Sequence, residues 1–356
     1  MKNVGLDYHK KFSYATMIDT QTGVVVQGRI ENTQEGMKAF LGRGKDTRVV
    51  MESGRCWGWM YDMLTQLCGE VKLAHPNHVK MIAHARIKND KIDSKVLAQL
   101  LCADLIPEAY ARSLGNRQDL AVLRQRCFWM KIRTKIKNRI HELIDRQGEH
   151  VASQRPECSD LFGKAGMKWL KAVVLAPRER ELLDEMLKGF EFVSERVAES
   201  DRQVEEMYNN DPVAKRLRSI PGLGVFYATL MSKEIDDINR FAAPEKLHSY
   251  AGLIPSTYAS GGKVRHGKMT RSGNTWLRWA AVEAAIPARN SNFQIRALYD
   301  KHKYHKGNAK NAKVVVARRL LTIVFKVWKE NRLFEDYKTH QGIKRIGSPS
   351  SFCNGA

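Results

Sequence analysis

The sequence predicts an α/β domain at the N-terminus, then a long helical segment, then a mainly α C-terminal domain. Three observations predict it. Between residues 3 and 74, short apolar runs rich in Val, Ile and Met alternate first with turns and then with helical spacing. From Ala111 onward, apolar residues recur in steps of three and four over two long stretches. The last third combines a Pro-Gly turn, an apolar block and a helix-spaced run that reaches Trp328.

Val4–Tyr8, Phe12–Ile18 and Val24–Ile30 read as a three-strand meander, the last two joined by the turn Asp19-Thr20-Gln21-Thr22-Gly23. Helices are expected over Gln34–Leu41 and Trp57–Leu67, strands at Arg48–Met51 and Glu70–Ala74, and helices from Asn77 onward. Three antiparallel strands followed by alternating helix and strand is the order of a ribonuclease-H-like fold. Four carboxylates stand at telling points of that order. Asp7 ends the first run, Glu52 ends Val49-Val50-Met51, and Asp90 and Asp93 precede the apolar-periodic run Val96-Leu97-Leu100-Leu101. Three apart, Asp90 and Asp93 share a face at the first turn of a helix, where the helix dipole favours negative charge. Acids so placed converge at one edge of a sheet. Carboxylates that hold two Mg²⁺ ions about 3.5–4 Å apart are the usual apparatus of phosphodiester chemistry. Magnesium also prefers a few carboxylates plus substrate phosphates to a closed protein cage. The bland alternative makes each acid a loop or capping residue.

Composition points to a polyanion. The 356 residues carry a net charge of +22, with a sequence pI near 9.8 and a hydrophobic fraction of 43%. That fraction supports real cores, and the charge is the footprint of nucleic-acid work. No apolar run is long enough to span a bilayer and no signal-peptide pattern opens the chain, so no membrane partner is expected. Six scattered cysteines, none in a Cys-x-x-Cys pair, read as reduced thiols of a cytoplasmic protein. His302 and His305 lack further ligands at a usable spacing and do not make a zinc site. The expected organisation is an acid-bearing domain over 1–106, a helical linker with a coiled coil over 107–212, a C-terminal domain over 213–335, and a disordered tail over 336–356.

Two segments concentrate the charge. From Ala111 to His150 ten Lys/Arg face four Asp/Glu, with Leu120, Leu123, Ile132, Ile136, Ile140 and Leu143 interleaved as on an amphipathic helix. From Gly261 to Lys329 sixteen Lys/Arg meet only Glu283 and Asp300, an excess that would make binding steeply salt-dependent. Between them, Leu183, Met186, Phe190, Val193, Val197, Ser200, Val204 and Met207 form a heptad seam with one polar break. That seam suits packing within the chain and a coiled coil between chains equally.

Ile220-Pro221-Gly222-Leu223-Gly224 resembles a helix-hairpin-helix turn, whose glycines let backbone N–H groups approach a phosphate. Gly222 and Gly224 are therefore candidate nucleic-acid contacts. Further on, Ser260 precedes Gly261 and Gly262 in an expected flexible loop, with Lys263, Arg265, Lys268 and Arg271 near enough in sequence to surround a phosphate. A serine hydroxyl attacks phosphorus only if its proton is removed or the developing charge is stabilised. On spacing alone a plain Ser-Gly turn fits as well.

Gly-Leu-Asp at Asp7, Met-Glu-Ser-Gly at Glu52, Asn-Asp-Lys-Ile-Asp, Ile-Pro-Gly-Leu-Gly, Tyr-Ala-Gly-Leu-Ile-Pro and the Ser260 loop occur in one order over about residues 3–330. That order resembles the DEDD transposases of the IS110 type, relatives of the Piv site-specific DNA invertases. The resemblance implies a RuvC-like N-terminal domain whose acids are Asp7, Glu52, Asp90 and Asp93, with Mg²⁺ as cofactor. It also implies that Ser260 attacks DNA through a covalent phosphoserine intermediate. DNA donor and target, a structured guide RNA and a homo-oligomer are the partners it implies. Ile254-Pro255-Ser256-Thr257 departs from it, with small polar residues where relatives often carry basic ones. Two other functions fit the residues: a metal-dependent junction-resolving nuclease with a structural Ser260, and a nucleic-acid-binding protein without chemistry.

Overall fold

A computed structural model describes residues 1–334 apart from 43, 55, 83–88, 261, 262 and 271; the expected tail at 336–356 lies outside the described residues. The chain divides into two compact units, Met1–Gly115 and Asn116 onward.

In the first unit, β1 (Lys2–Tyr8), β2 (Phe12–Asp19) and β3 (Val25–Glu31) form the expected antiparallel meander, with Asp7 opposite Tyr14 and Met17 opposite Val26. Helix α1 (Gln34–Leu41) leads to β4 (Thr47–Glu52), and α2 (Trp57–Leu67) leads to β5 (Glu70–Ala74). Both later strands run parallel to β1, which requires such crossovers, and the sheet order is β3-β2-β1-β4-β5. Helices α3 (Pro76–Ile82) and α4 (Asp90–Cys102) complete the unit. Strand β4 is buried on both faces. Val49 and Met51 join Val4, Leu6, Met37, Met60 and Leu64 in one core, while Val50 joins Val79, Leu97, Leu100 and Leu101 in another. The sheet is thus sandwiched between α1 and α2 on one face and α3 and α4 on the other. Residues 107–111 continue along this unit: Ala109 N–H donates to the Leu73 carbonyl at 2.6 Å and Glu108 bridges Ala74.

The second unit opens with α5 (Leu114–Asp145), followed by α6 (Glu149–Ala152), α7 (Lys164–Ala172) and α8 (Pro177–Asn209). Of the expected seam, Leu183, Phe190, Val193, Val197, Ser200 and Val204 are buried; Leu187 is buried beside a partly covered Met186. Leu183, Leu187 and Phe190 pack inside the chain, against Ile140, Leu143 and Ile144 of α5 and Leu170 of α7, and Val204 joins a separate core with Leu120 and Leu123 of α5. Arg126 pairs with Asp201 across the same two long helices, and Trp129 meets Phe192 edge-on. The polar break is satisfied locally, Ser200 Oγ donating to the Arg196 carbonyl at 2.8 Å.

Helices α9 (Pro212–Leu217), α10 (Val225–Ile235) and α11 (Pro244–Tyr250) lead into a hairpin of β6 (Pro255–Ser260) and β7 (Lys263–Met269). Then come α12 (Thr275–Ser291), α13 (Phe293–Lys306) and α14 (Ala309–Lys329). The C-terminal region is mainly α, but the stretch read as a loop up to Ser260 is a β-strand. One core joins Leu120, Leu123 and Val204 to Leu217, Ile220, Leu230, Leu320 and Val324, so residues on both sides of the expected boundary at 212 share it. The face that α12 turns into this core is made of Ala280, Ala281, Ala284, Ala285 and Ala288, all fully covered. No helix among the described residues is long and apolar enough to cross a membrane.

Candidate metal centre and nucleic-acid interface

The acids of the first unit gather at the C-terminal ends of parallel strands. Leu6 pairs with Met51 in the β1–β4 register, so Asp7 and Glu52 are the next residues along on neighbouring strands. Glu52 also sits opposite Ala74 of β5. Helix α4 supplies the other two acids, and its position on the sheet has a local cause. A Cβ on Gly5 would stand 2.1 Å from the Ser94 carbonyl oxygen and 2.4 Å from the Ala98 nitrogen, so α4 lies closer to β1 than any side chain would allow. Thr16 Oγ1 and Ser94 Oγ share a buried hydrogen bond of 2.8 Å, and Gln27 Nε2 donates to Thr16 Oγ1 at 2.8 Å. Asn89 caps the helix, its side chain accepting from the N–H groups of Lys91 and Ile92 at 2.8 and 3.1 Å. Asp90 is thereby the first helical residue and Asp93 lies one turn further.

A histidine that the sequence reading did not select completes the cluster. His9 follows β1; its N–H donates to the Phe12 carbonyl at 3.0 Å, and its own carbonyl accepts from Asn32 Nδ2 at 2.7 Å. The ring leans on Phe12 with centroids 5.0 Å apart. Its Nε2 stands 3.3 Å from Asp7 Oδ2 and 3.2 Å from Asp90 Oδ2. One ligand atom each from Asp7, His9 and Asp90 lies within 4.8 Å of the others. Burial pushes the Asp7 carboxyl above its ordinary value, the charge of His9 pulls it back, and Asp90 and Asp93 push it up again. Asp93 is therefore within electrostatic reach of Asp7, while Glu52 takes its place on the adjoining strand end. Two carboxylates and an imidazole suit a divalent cation: the oxygens fit Mg²⁺, and the nitrogen also accepts Mn²⁺ and its neighbours.

In the second unit, Ser260 is the last residue of β6, paired in register with Lys263, and Tyr258 is opposite Arg265. Arg271 lies outside the described residues, as do Gly261, Gly262 and the side chains of Ser260 and Lys263. Arg265 and Lys268 are exposed on β7. The base of the hairpin is fixed by Thr270 N–H donating to the Ile254 carbonyl at 2.9 Å and by Asn274, which caps α12. Asn274 Nδ2 also donates to Glu234 Oε2 at 2.7 Å, and Arg124 pairs with Oε1 of that carboxylate at 2.7 Å. Glu234 is 1% exposed, and its two partners supply the hydrogen bonds and the counter-charge that a buried carboxylate needs. Neither Glu234 nor Asn274 stood out in the sequence, since only the fold brings them beside Arg124.

The turn between α9 and α10 separates its two glycines. Gly222 has φ +86° and its Cα faces α12; a Cβ there would sit 2.5 Å from the Ala284 carbonyl oxygen and 2.5 Å from the Ala288 nitrogen. Its glycine is demanded by packing and backbone conformation together. Gly224 precedes α10 as its capping residue, is exposed, and has open space around its Cα.

A mixed sheet whose first and fourth strands end in acids, with a helix bringing two more beside them, in a chain of net charge +22, is the frame of a DEDD transposase. Residues 4–147 match a family model of IS110-type DEDD transposases, and residues 214–300 match the model described as the transposase IS116/IS110/IS902 family. The chain belongs to that IS110-type transposase family. It is 23% identical over 289 residues to the transposase for insertion sequence element IS1328 of Yersinia enterocolitica, covering 79% of this chain and 82% of that one. It is likewise 23% identical over 285 residues to the transposase for element IS1111A of Coxiella burnetii, covering 80% and 77%. The pilin gene-inverting protein of Moraxella bovis is 29% identical over 154 residues, 42% of this chain and 48% of its own.

Proposed function

We propose that this insertion-sequence transposase cuts and rejoins DNA, with Asp7, Glu52, Asp90 and Asp93 holding Mg²⁺ and Ser260 attacking the strand. The observation that carries the reading is the convergence of Asp7 and Asp90 to ligand distance, with Asp93 acting on Asp7, in a chain of the DEDD transposase family. The sheet supports a RuvC-like first domain: three antiparallel strands, then two parallel ones, with the acid-bearing helix laid on β1. A bound divalent cation would neutralise phosphate charge and lower the pKa of an attacking hydroxyl.

In this reading Ser260 Oγ forms a bond to phosphorus as the bond from phosphorus to the leaving sugar oxygen breaks, and that oxygen takes up a proton. Rejoining reverses the exchange on a new strand, the incoming sugar hydroxyl displacing Oγ. Arg265 and Lys268, with Lys263 and Arg271 beside them in sequence, offset the charge that builds on phosphorus. Gly224, at the open N-terminus of α10, offers backbone N–H groups to a phosphate, and Gly222 holds that turn against α12. The two basic segments, ten Lys/Arg to four acids and sixteen to two, support a structured guide RNA in addition to DNA. The family resemblance favours RNA over a second DNA, and it favours a homo-oligomer.

The test is trapping of covalent protein–DNA adducts on labelled element ends. Ser260→Ala should lose adducts and recombination while binding DNA as before, and alanine at Asp7, Glu52, Asp90 or Asp93 should cut cleavage at least a hundredfold. Adducts persisting in Ser260→Ala would remove the nucleophile and leave the resolving-nuclease alternative. Sequencing RNA that survives a high-salt wash tests the guide: random cellular RNA, with recombination reconstituted from protein and DNA alone, would end it.

A further inference from the structure

Beside the acids of the first unit lies a cleft of about 650 Å³ that the DEDD residues do not use. Its lining includes the cations Lys10, Lys11 and Arg29, the carboxylate Glu31, and the rings of Phe12 and Trp59, with Asn32 and Thr33 between them. Its volume is that of ordinary small-ligand sites. Trp59, on the first turn of α2, is 46% exposed, so part of the indole is open to a ligand. The indole is nevertheless fixed. Its Nε1–H donates to Tyr8 Oη at 2.8 Å, and the two rings meet edge to face with centroids 5.9 Å apart. Tyr8 stands between Asp7 and His9, so the indole is tied to the strand that ends at the acids.

The cations are not neutralised by ion pairs among the described residues. Lys10 and Lys11 are exposed directly after His9, and Arg29 lies 4.0 Å over the Phe12 ring. The uncharged polar side chains, by contrast, are committed. Asn32 donates to the His9 carbonyl and accepts from Ser13 Oγ at 2.7 Å each, and Thr33 Oγ1 accepts from Gly36 N–H at 3.0 Å. What the cleft can offer a ligand is an aromatic face and three positive charges against the single carboxylate of Glu31. Apart from that carboxylate it has little to read the edge of a base.

That combination is the chemistry of sequence-tolerant single-strand recognition: bases stack on a π-face while cations follow the phosphates. A paired base hides its faces in the stack and cannot use an exposed indole. We infer that the cleft holds unpaired nucleotides of the DNA strand flanking the phosphate at the acids, a base stacking on Trp59 and phosphates lying on Lys10, Lys11 and Arg29. The strand is called DNA on the strength of the function proposed above; the cleft itself stands on its own geometry.

The test uses the full chain in EDTA, so that no cleavage is read. A short oligo-dT carrying 5-iododeoxyuridine is photo-cross-linked and the adduct mapped by mass spectrometry; the expected site is the peptide containing Trp59. Trp59→Ala should weaken oligo-dT binding roughly tenfold and leave duplex binding unchanged, with Trp59→Phe restoring most of the loss. The double variant Lys10→Ala, Lys11→Ala should reduce the single-strand salt slope by about 1.4, two phosphates at roughly 0.7 each. Should Trp59→Ala fail to fold, the phenylalanine and double-lysine variants carry the test. Cross-links elsewhere, equal loss of duplex binding, or an unchanged salt slope would each overturn the proposal. Trp59-dependent binding that prefers oligo-U would overturn the assignment to DNA. Failure of the acids to support cleavage in Mg²⁺, with Trp59-dependent binding intact, would count against the function and not against the cleft.

Discussion

Asp7 occupies a place that weakens the metal-free protein. Its carboxyl is pushed above the ordinary value of 3.8, first by burial and then by Asp90 and Asp93, with His9 working against them. The folded state therefore binds that proton more tightly than the unfolded state. The sign follows: stability is highest with the carboxyl protonated and falls as pH rises through the window above 3.8. In EDTA at pH 7, Asp7→Asn should raise the melting temperature by roughly 1–3 °C. The gain should shrink as pH falls toward 3.8, and saturating Mg²⁺ or Mn²⁺ should reverse the order, because only the native site binds the ion. A melting temperature at pH 7 equal to or below wild type would show that the acids are not under mutual strain. At this scale the sequence was partly legible. The four acids were legible as candidates because each stood near an element end, and the structure brings Asp7 and Asp90 together. His9 could not be found by that rule, since it lies just past the end of β1, although it stands two residues from Asp7. Glu234 and Asn274 were out of reach because 40 residues separate them.

At the scale of elements, the acids depend on how closely α4 approaches β1. Gly5→Ala puts a methyl group into backbone atoms, the Ser94 carbonyl at 2.1 Å and the Ala98 nitrogen at 2.4 Å, which cannot rotate away. The expected cost is about 1–3 kcal/mol or more by urea denaturation, with Mn²⁺ affinity falling as α4 carries Asp90 outward. Unchanged metal affinity in a destabilised Gly5→Ala protein would mean that the helix position does not set the site. Asn89→Ala should cost about 1 kcal/mol by the same measurement, and Asn89→Ser should recover most of it. The strands of this unit were legible because β-branched runs sat between strong turns, and β4 because it is apolar on both faces. The β6–β7 hairpin was not, since Ser-Gly-Gly reads as a loop wherever it occurs and only the pairing of Pro255–Ser260 with Lys263–Met269 makes it a strand end. The short α6 and α7 were missed because helices of 4 and 9 residues leave little periodicity to read.

At the scale of the whole molecule, the acids belong to one compact unit and the serine to another. In the homo-oligomer proposed above, the acids of one chain could act with the serine of another. Mixing Asp7→Ala protein with Ser260→Ala protein should restore recombination on element ends to a measurable fraction of wild type. No recovery at any mixing ratio would show that acids and serine must act within one chain. Nothing in the sequence near 212 shows that residues on its two sides share a core. Leu120, Leu123 and Val204 look like residues of a free-standing pair of long helices, and nothing local reveals that they also cover Leu217, Ile220 and Leu230.

The alanine face of α12 sets a different kind of limit. Ala284 and Ala288 receive the backbone of Gly222, and Ala280, Ala281 and Ala285 are as fully covered. Enlarging any of them to Val overpacks a covered face, at about 1–3 kcal/mol each, so conservative hydrophobic exchanges there should lower the amount of folded, active protein. An activity screen of random variants would mark α12 as a hot region. Only a companion measurement of soluble, folded protein would tell such positions from the residues that meet DNA.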